Sequence, residues 1–204
     1  MGDKDGQRGQ GTRCIAIVGP YLSGKTTLLE SILSRTGQTN RQGSIAAGNT
    51  VGDTSPEARE HQMSIEPNIA DATFIDDPFT FIDCPGSIEF QFHSQSALSI
   101  CDAAIVVCEA DEKKLPSLQL TLKQLSDSKI PHFLFINKID KNETPIRQII
   151  PMLQPASGLP LVLRQIPIWQ NGVATGFVDL ALERAFVYRE HEPSEVVDIP
   201  QDLH

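Results

Sequence analysis

Positive charge is in deficit: 17 Lys and Arg stand against 26 Asp and Glu in 204 residues, giving a formal net charge of −9 and a pI near 5.0. Gripping a nucleic acid unaided takes clustered cations that neutralise phosphates, so the balance argues against autonomous nucleic-acid binding. The start of the chain lacks an apolar run. Residues 1–12 are rich in Gly, Asp, Lys and Gln, which excludes a signal peptide or membrane span there and predicts a disordered tail. Gly6 stands where a myristoylation signal beginning Met1-Gly2 requires Ser or Thr. Cysteine is sparse, and Cys14, Cys84, Cys101 and Cys108 show no C-x-x-C spacing, so free thiols in a reducing compartment, the cytoplasm, are expected. No internal repeat is present. The acidic, proline-bearing end, residues 192–204, lacks a closing helix; it reads as a cut chain, with His204 placed like the first residue of a purification tag.

With 40% hydrophobic and 21% charged residues, the chain suits one domain, or one with an appendage. Its sharpest feature is Gly19-Pro20-Tyr21-Leu22-Ser23-Gly24-Lys25-Thr26, a G-x-x-x-x-G-K-T loop. The apolar run Cys14-Ile15-Ala16-Ile17-Val18 before it reads as a buried strand. After it, Leu28, Leu29, Ile32 and Leu33 fall on one helical face. Strand, turn and helix in that order predict a nest of backbone N–H groups, from Tyr21, Leu22, Ser23, Gly24, Lys25, Thr26 and Thr27, closed by a helix N-terminus and suited to nucleotide phosphates. Lys25 is expected to reach the β- and γ-phosphates. Thr26 offers its hydroxyl to Mg²⁺, a hard ion that takes few protein oxygens.

Residues 36–64 form a long polar stretch with little periodicity, the kind of loop that is functional or disordered. Strands are then expected at Phe79-Thr80-Phe81-Ile82, at residues 103–108 and at His132-Phe133-Leu134-Phe135-Ile136. Helices are expected over residues 88–100 and from about Pro116, the latter with Leu118, Leu122 and Leu125 on one face. This alternation predicts an α/β fold: a P-loop, doubly wound, mostly parallel sheet with ligands at the carboxyl ends of its strands. From Pro151 onward prolines punctuate short β-like runs such as Leu161-Val162-Leu163 and Gly176-Phe177-Val178, which suggests a small α+β subdomain. The expected organisation is a tail over 1–12, a nucleotide domain over 13–157 and a smaller appended subdomain over 158–204.

Two further motifs follow predicted strands. Asp83-Cys84-Pro85-Gly86 can hold a Mg²⁺-bound water through Asp83 and sense a γ-phosphate through the Gly86 amide, a switch ordered by triphosphate. Asn137-Lys138-Ile139-Asp140 reads N-K-x-D. The Asp140 carboxylate can accept from the ring N–H and exocyclic amine of guanine, whereas adenine would face it with an acceptor. Lys138 would lay its stem along the base, and Asn137 would tie this loop to the first. The pattern disfavours an ATP-using kinase.

With these three loops in order, the chain resembles the translational GTPases, and most closely elongation factor G. In that family the first switch reads Asp, six residues, then Glu-Arg-Gly-Ile-Thr-Ile; here Asp53 and Glu60-His61-Gln62-Met63-Ser64-Ile65 keep the spacing. Leu163-Arg164-Gln165-Ile166-Pro167-Ile168 and Gly176-Phe177-Val178-Asp179-Leu180 resemble the small subdomain that elongation factor G inserts into its nucleotide domain. The resemblance implies GTP and GDP as ligands, Mg²⁺ held by Thr26, Ser64 and, through water, Asp83, and the ribosome as partner of the full-length protein. It also implies that the family's fifth guanine loop lies beyond His204, which leaves Ala156-Ser157-Gly158 as a linker and nucleotide binding weak, with the first switch disordered when no triphosphate is bound.

The departures touch hydrolysis and spare guanine recognition. The family places a water-positioning His after Asp-x-Pro-Gly, where this chain has Ser87, and His93 lies too far along to replace it. Ser64 replaces the switch Thr, His61 and Gln62 replace Arg and Gly, and Leu22 replaces an Asp of the first loop. Two readings follow: a GTPase in which Lys25 and Mg²⁺ neutralise transition-state charge with Ser87 at the position of the His, or a GTP-binding switch with little hydrolysis.

Overall fold

The computed structural model describes residues 11–52, 64–87, 89, 91–141, 145–189 and 192–200. Residues 1–10 of the expected tail, Asp53 and residues 60–63 of the expected switch, and His204 lie outside the described residues, as does the side chain of His93. The chain divides into two compact units, one carried by the segments up to Glu109 and Lys113–Asn137, the other by Ala110–Glu112 and the segment from Lys138.

The first unit is a five-stranded sheet in the order β2-β3-β1-β4-β5. Its strands are β1 (Arg13–Val18), β2 (Asn68–Phe74), β3 (Asp77–Asp83), β4 (Ala103–Glu109) and β5 (His132–Asn137). β3, β1, β4 and β5 run parallel, with Ile17 opposite Asp83, Val18 opposite Val106 and Glu109 opposite Asn137. This register ends all four strands along one edge of the sheet, so the loops after Val18, Asp83 and Asn137 leave side by side. The strand order reverses at β1, and in such sheets the crevice at the reversal is where ligands bind.

Helix α1 (Lys25–Arg35) lays Leu29 and Leu33 on this sheet against Ile17, Phe81, Ile105 and Val107, with Leu28 and Ile32 packed at the margin. Helix α2 covers Gln91–Leu98 and α3 covers Leu115–Asp127. Leu118, Leu122 and Leu125 of α3 are all buried, as their spacing requires. Burying each such leucine contributes about 1.5–3 kcal/mol relative to exposure.

Three sequence expectations need adjustment. The helix expected over residues 88–100 is described as Gln91–Leu98; the chain turns at Ser99 and Ile100, and residues 88 and 90 lie outside the described residues. Strand β2 is absent from the sequence expectations: it pairs antiparallel with β3 and buries only the small residues Ala70 and Ala72, a weak period-two signal. Leu161-Val162-Leu163 forms no strand; the Leu161 amide is taken by Gln154 Oε1 at 2.9 Å, and Val162 is 87% exposed.

The second unit is an antiparallel sheet in the order β6-β7-β8-β9, formed by Gln165–Gln170, Val173–Asp179, Arg184–Arg189 and Glu192–Val197, preceded by helix α4 (Ile146–Leu153). One face buries Ile168, Val178 and Ala185; the other stacks Phe177 on Phe186 with ring centroids 5.0 Å apart. Asn171 and Gly172 join β6 to β7, both at positive φ, as the twist of a tight hairpin demands.

All four cysteines are free thiols. Among the described residues no helix is long and apolar enough to cross a membrane.

Candidate nucleotide site

The loop from Gly19 to Gly24 turns tightly because its glycines adopt backbone angles that side chains oppose. Gly19 has φ 139°, and a Cβ there would lie 2.1 Å from the Val107 carbonyl oxygen of β4. Gly24 has φ 99° and sits against the Asn137 carboxamide, 2.3 Å from where its Cβ would be. Asn137 Nδ2 donates to the Ser23 carbonyl at 2.8 Å, so the end of β5 is tied to the loop. Leu22 holds φ 57°, a left-handed conformation that costs a non-glycine residue about 1–2 kcal/mol. Tyr21 and Leu22 are exposed, Ser23 is fully buried and Thr27 is exposed on the first turn of α1.

Lys25 is buried to 7% exposure, its ammonium donating to the Pro20 carbonyl at 3.1 Å. Gly86 lies directly on it: a Cβ at Gly86 would fall 2.2 Å from Lys25 Nζ and 2.9 Å from Pro20 O. Only a residue without a side chain brings the second motif's backbone this close to the cation.

Thr26 Oγ1 donates to Asp83 Oδ2 at 2.6 Å and lies 3.3 Å from Ser64 Oγ. Two hydroxyls and a carboxylate from three separate chain segments thus meet at the start of α1. This all-oxygen set matches what Mg²⁺ takes in a phosphate site. Ser23 Oγ adds a buried hydroxyl with no hydrogen-bond partner among the described residues. Cys84, beside Asp83, is no nucleophile: burial, and secondarily the Asp83 charge, push its thiol up to about 12.

Ser87 is half-buried and lines a cavity with Gly19, Gly86, Ser94 and Leu98 and, from α3, Ser117 and Thr121. Its hydroxyl donates to the Glu89 carboxylate. Lys138, at φ 56°, starts a single tight turn in which the Lys141 amide returns to the Lys138 carbonyl at 3.0 Å; Asp140 is exposed within it. Asn137 therefore belongs to the first unit with Lys25, Thr26, Asp83 and Gly86, while Lys138 and Asp140 open the second.

Two acidic residues lie outside the motifs legible in the sequence. Glu30 is buried on α1, where its carboxylate accepts from the Gly43 amide at 2.9 Å and the Val51 amide at 2.5 Å, pinning the stretch that leads towards Ser64. A charge beside Leu29 on an apolar helical face was the available signal. Glu89 could have been found from its spacing, two residues after a Ser, which suits short-range hydrogen bonding.

The sequence pattern of the elongation factor Tu GTP binding domain matches residues 10–188. An elongation factor G-like protein of Synechocystis sp. is 42% identical over 191 residues, covering 94% of this chain and 29% of that protein. Elongation factor G 1 of Geobacter sulfurreducens is 27% identical over 194 residues, covering 94% of this chain and 28% of its own length. A crystal structure of a Thermus thermophilus protein superposes with a TM-score of 0.83 at 26% identity, covering 95% of this chain and 29% of that one. The chain thus spans less than a third of the curated relatives it matches. It belongs to the elongation factor Tu GTP-binding-domain family, in the elongation factor G-like branch of the translational GTPases.

Proposed function

We propose that this chain is the module with which an elongation factor G-like protein binds GTP and GDP with Mg²⁺ and hydrolyses GTP on the ribosome. The observation that carries the reading is the convergence of Lys25, Thr26, Asp83 and Gly86 at the carboxyl edge of the sheet. The backbone amides of residues 21–27 cradle the phosphates at the start of α1, where the helix dipole favours negative charge. Lys25 bridges the β- and γ-phosphates in place of its bond to Pro20, and the Gly86 amide reads the γ-phosphate. Thr26 and Ser64 would hold Mg²⁺ directly and Asp83 would hold it through water; the ion would supply positive charge against the phosphate oxygens. Lys138 lies along the base and Asp140 selects guanine by accepting two hydrogen bonds.

In this reading residues 13–157 form the nucleotide domain and residues 158–204 part of an inserted subdomain. The protein works in the cytoplasm, and its ribosome contacts do not come from nucleic-acid binding by this acidic segment. Ser87 favours a second reading, a GTP-gated switch with little turnover, because a hydroxyl is shorter than imidazole and carries no charge.

Phosphate release from GTP preloaded on the full-length protein, with and without ribosomes, separates the two. Ribosome-stimulated release by the natural protein supports the enzyme. Release only after Ser87→His supports the switch.

A further inference from the structure

A serine hydroxyl has one proton and two lone pairs, and left to rotate it can either donate to a nearby water or accept from it. In this protein the choice is made: Ser87 donates to the Glu89 carboxylate. With its proton given to Glu89, Ser87 Oγ has only lone pairs left for a neighbouring water. A hydrogen bond to a carboxylate is about twice as strong as one between neutral groups, which biases the rotor towards Glu89.

We infer that Glu89 is a positioning residue for the water that attacks GTP, acting through Ser87. This rests on the hydrolytic reading above. A water beside Gly86, whose backbone lies against Lys25, donates one hydrogen to Ser87 Oγ, which directs an oxygen lone pair away from Ser87 and leaves it for attack. The water oxygen forms a bond to the γ-phosphorus as the bond from phosphorus to the β,γ-bridging oxygen breaks, its electron pair leaving with GDP. The water's proton passes to a γ-phosphoryl oxygen to give inorganic phosphate. Ser87 keeps its own proton throughout, and Glu89 never touches the reactants. The pair thus supplies the acceptor that a neutral imidazole would supply, by fixing a hydroxyl that would otherwise be ambivalent.

The test is single-turnover GTP hydrolysis by the full-length protein with ribosomes, comparing the natural chain with Ser87→Ala, Glu89→Ala, Glu89→Gln and the Ser87→Ala, Glu89→Ala double variant, with GTP affinity measured for each. Glu89→Ala and Ser87→Ala are each expected to slow the chemical step by roughly 10- to 100-fold at unchanged GTP affinity, the scale of a misplaced reactant. The double variant should be no slower than either single one, because both changes remove one unit. Glu89→Gln, whose amide oxygen still accepts, should retain most of the rate. Natural speed in Glu89→Ala, additive slowing in the double variant, or a Glu89→Gln no faster than Glu89→Ala overturns the inference while the hydrolytic reading stands. A natural protein that binds GTP and releases no phosphate overturns both.

Discussion

Thr26 donates its hydroxyl to Asp83 across 2.6 Å, joining the first turn of α1 to the end of β3. Asp83 is fully buried and Thr26 nearly so. The bond therefore serves folding and, in the proposed function, sets the hydroxyl that would hold Mg²⁺ beside the carboxylate that would hold its water. Thr26→Val removes the donor and is expected to destabilise the fold by about 1.5–3 kcal/mol, the range for a lost bond to a charged group. It should also abolish the Mg²⁺ dependence of GTP affinity. Denaturant titration and calorimetry with and without Mg²⁺ read the two effects separately.

Glu30→Ala leaves the Gly43 and Val51 amides without the carboxylate they share. A loss of about 3 kcal/mol is expected, given 1.5–3 kcal/mol for each bond to a charged group less the gain from exposing the loop. Hydrogen exchange at Gly43 and Val51 should accelerate far more than exchange in α1. Unchanged protection of both amides would show that the loop is held otherwise.

Leu22 occupies a left-handed conformation that Asn adopts more readily. Leu22→Asn is expected to stabilise the protein by about 0.5–1 kcal/mol in thermal or denaturant unfolding. The side chain is exposed, so little packing is lost with it.

The Cys84 and Cys108 thiols are pushed from 9.0 up to about 12, by burial first and by the neighbouring Asp83 and Glu109 charges second. Below pH 9 both folded and unfolded chains keep these protons. As pH rises from about 9 to about 12 the unfolded chain releases them while the folded one retains them, so stability falls across that window. Replacing both residues by Ala should flatten this part of the stability profile, and thiol alkylation at pH 8 should be slow until the chain unfolds.

Asp140→Asn should shift preference from guanine towards xanthine nucleotides, because the amide can donate where the carboxylate only accepts. Competition binding with the two nucleotides measures it; undiminished guanine selectivity would remove Asp140 from the base site.

The parallel strands were legible because each is a short apolar run bounded by turn residues, and α3 because Leu118, Leu122 and Leu125 repeat at helical spacing. Strand β2 was not, since its inward residues are Ala70 and Ala72 and its hairpin turns at Ile75-Asp76, a dipeptide with no turn signature. In the site, motifs fixed by backbone geometry could be read locally, as at Gly19 and Gly24. Glu30 and Glu89 left weaker local signals, a charge beside Leu29 and a carboxylate two residues after a Ser, and the partners of Glu30 at Gly43 and Val51 are set by the fold. Leu161-Val162-Leu163 shows the converse error, where β-forming residues meet no partner strand.

Calorimetric titration of this chain with GTP and with ATP, in Mg²⁺ and in chelator, tests the central claim most directly. Binding of GTP that strengthens with Mg²⁺, disappears in Lys25→Ala and is not matched by ATP is the expected result. Equal affinity for ATP, or GTP binding indifferent to Lys25, would contradict it.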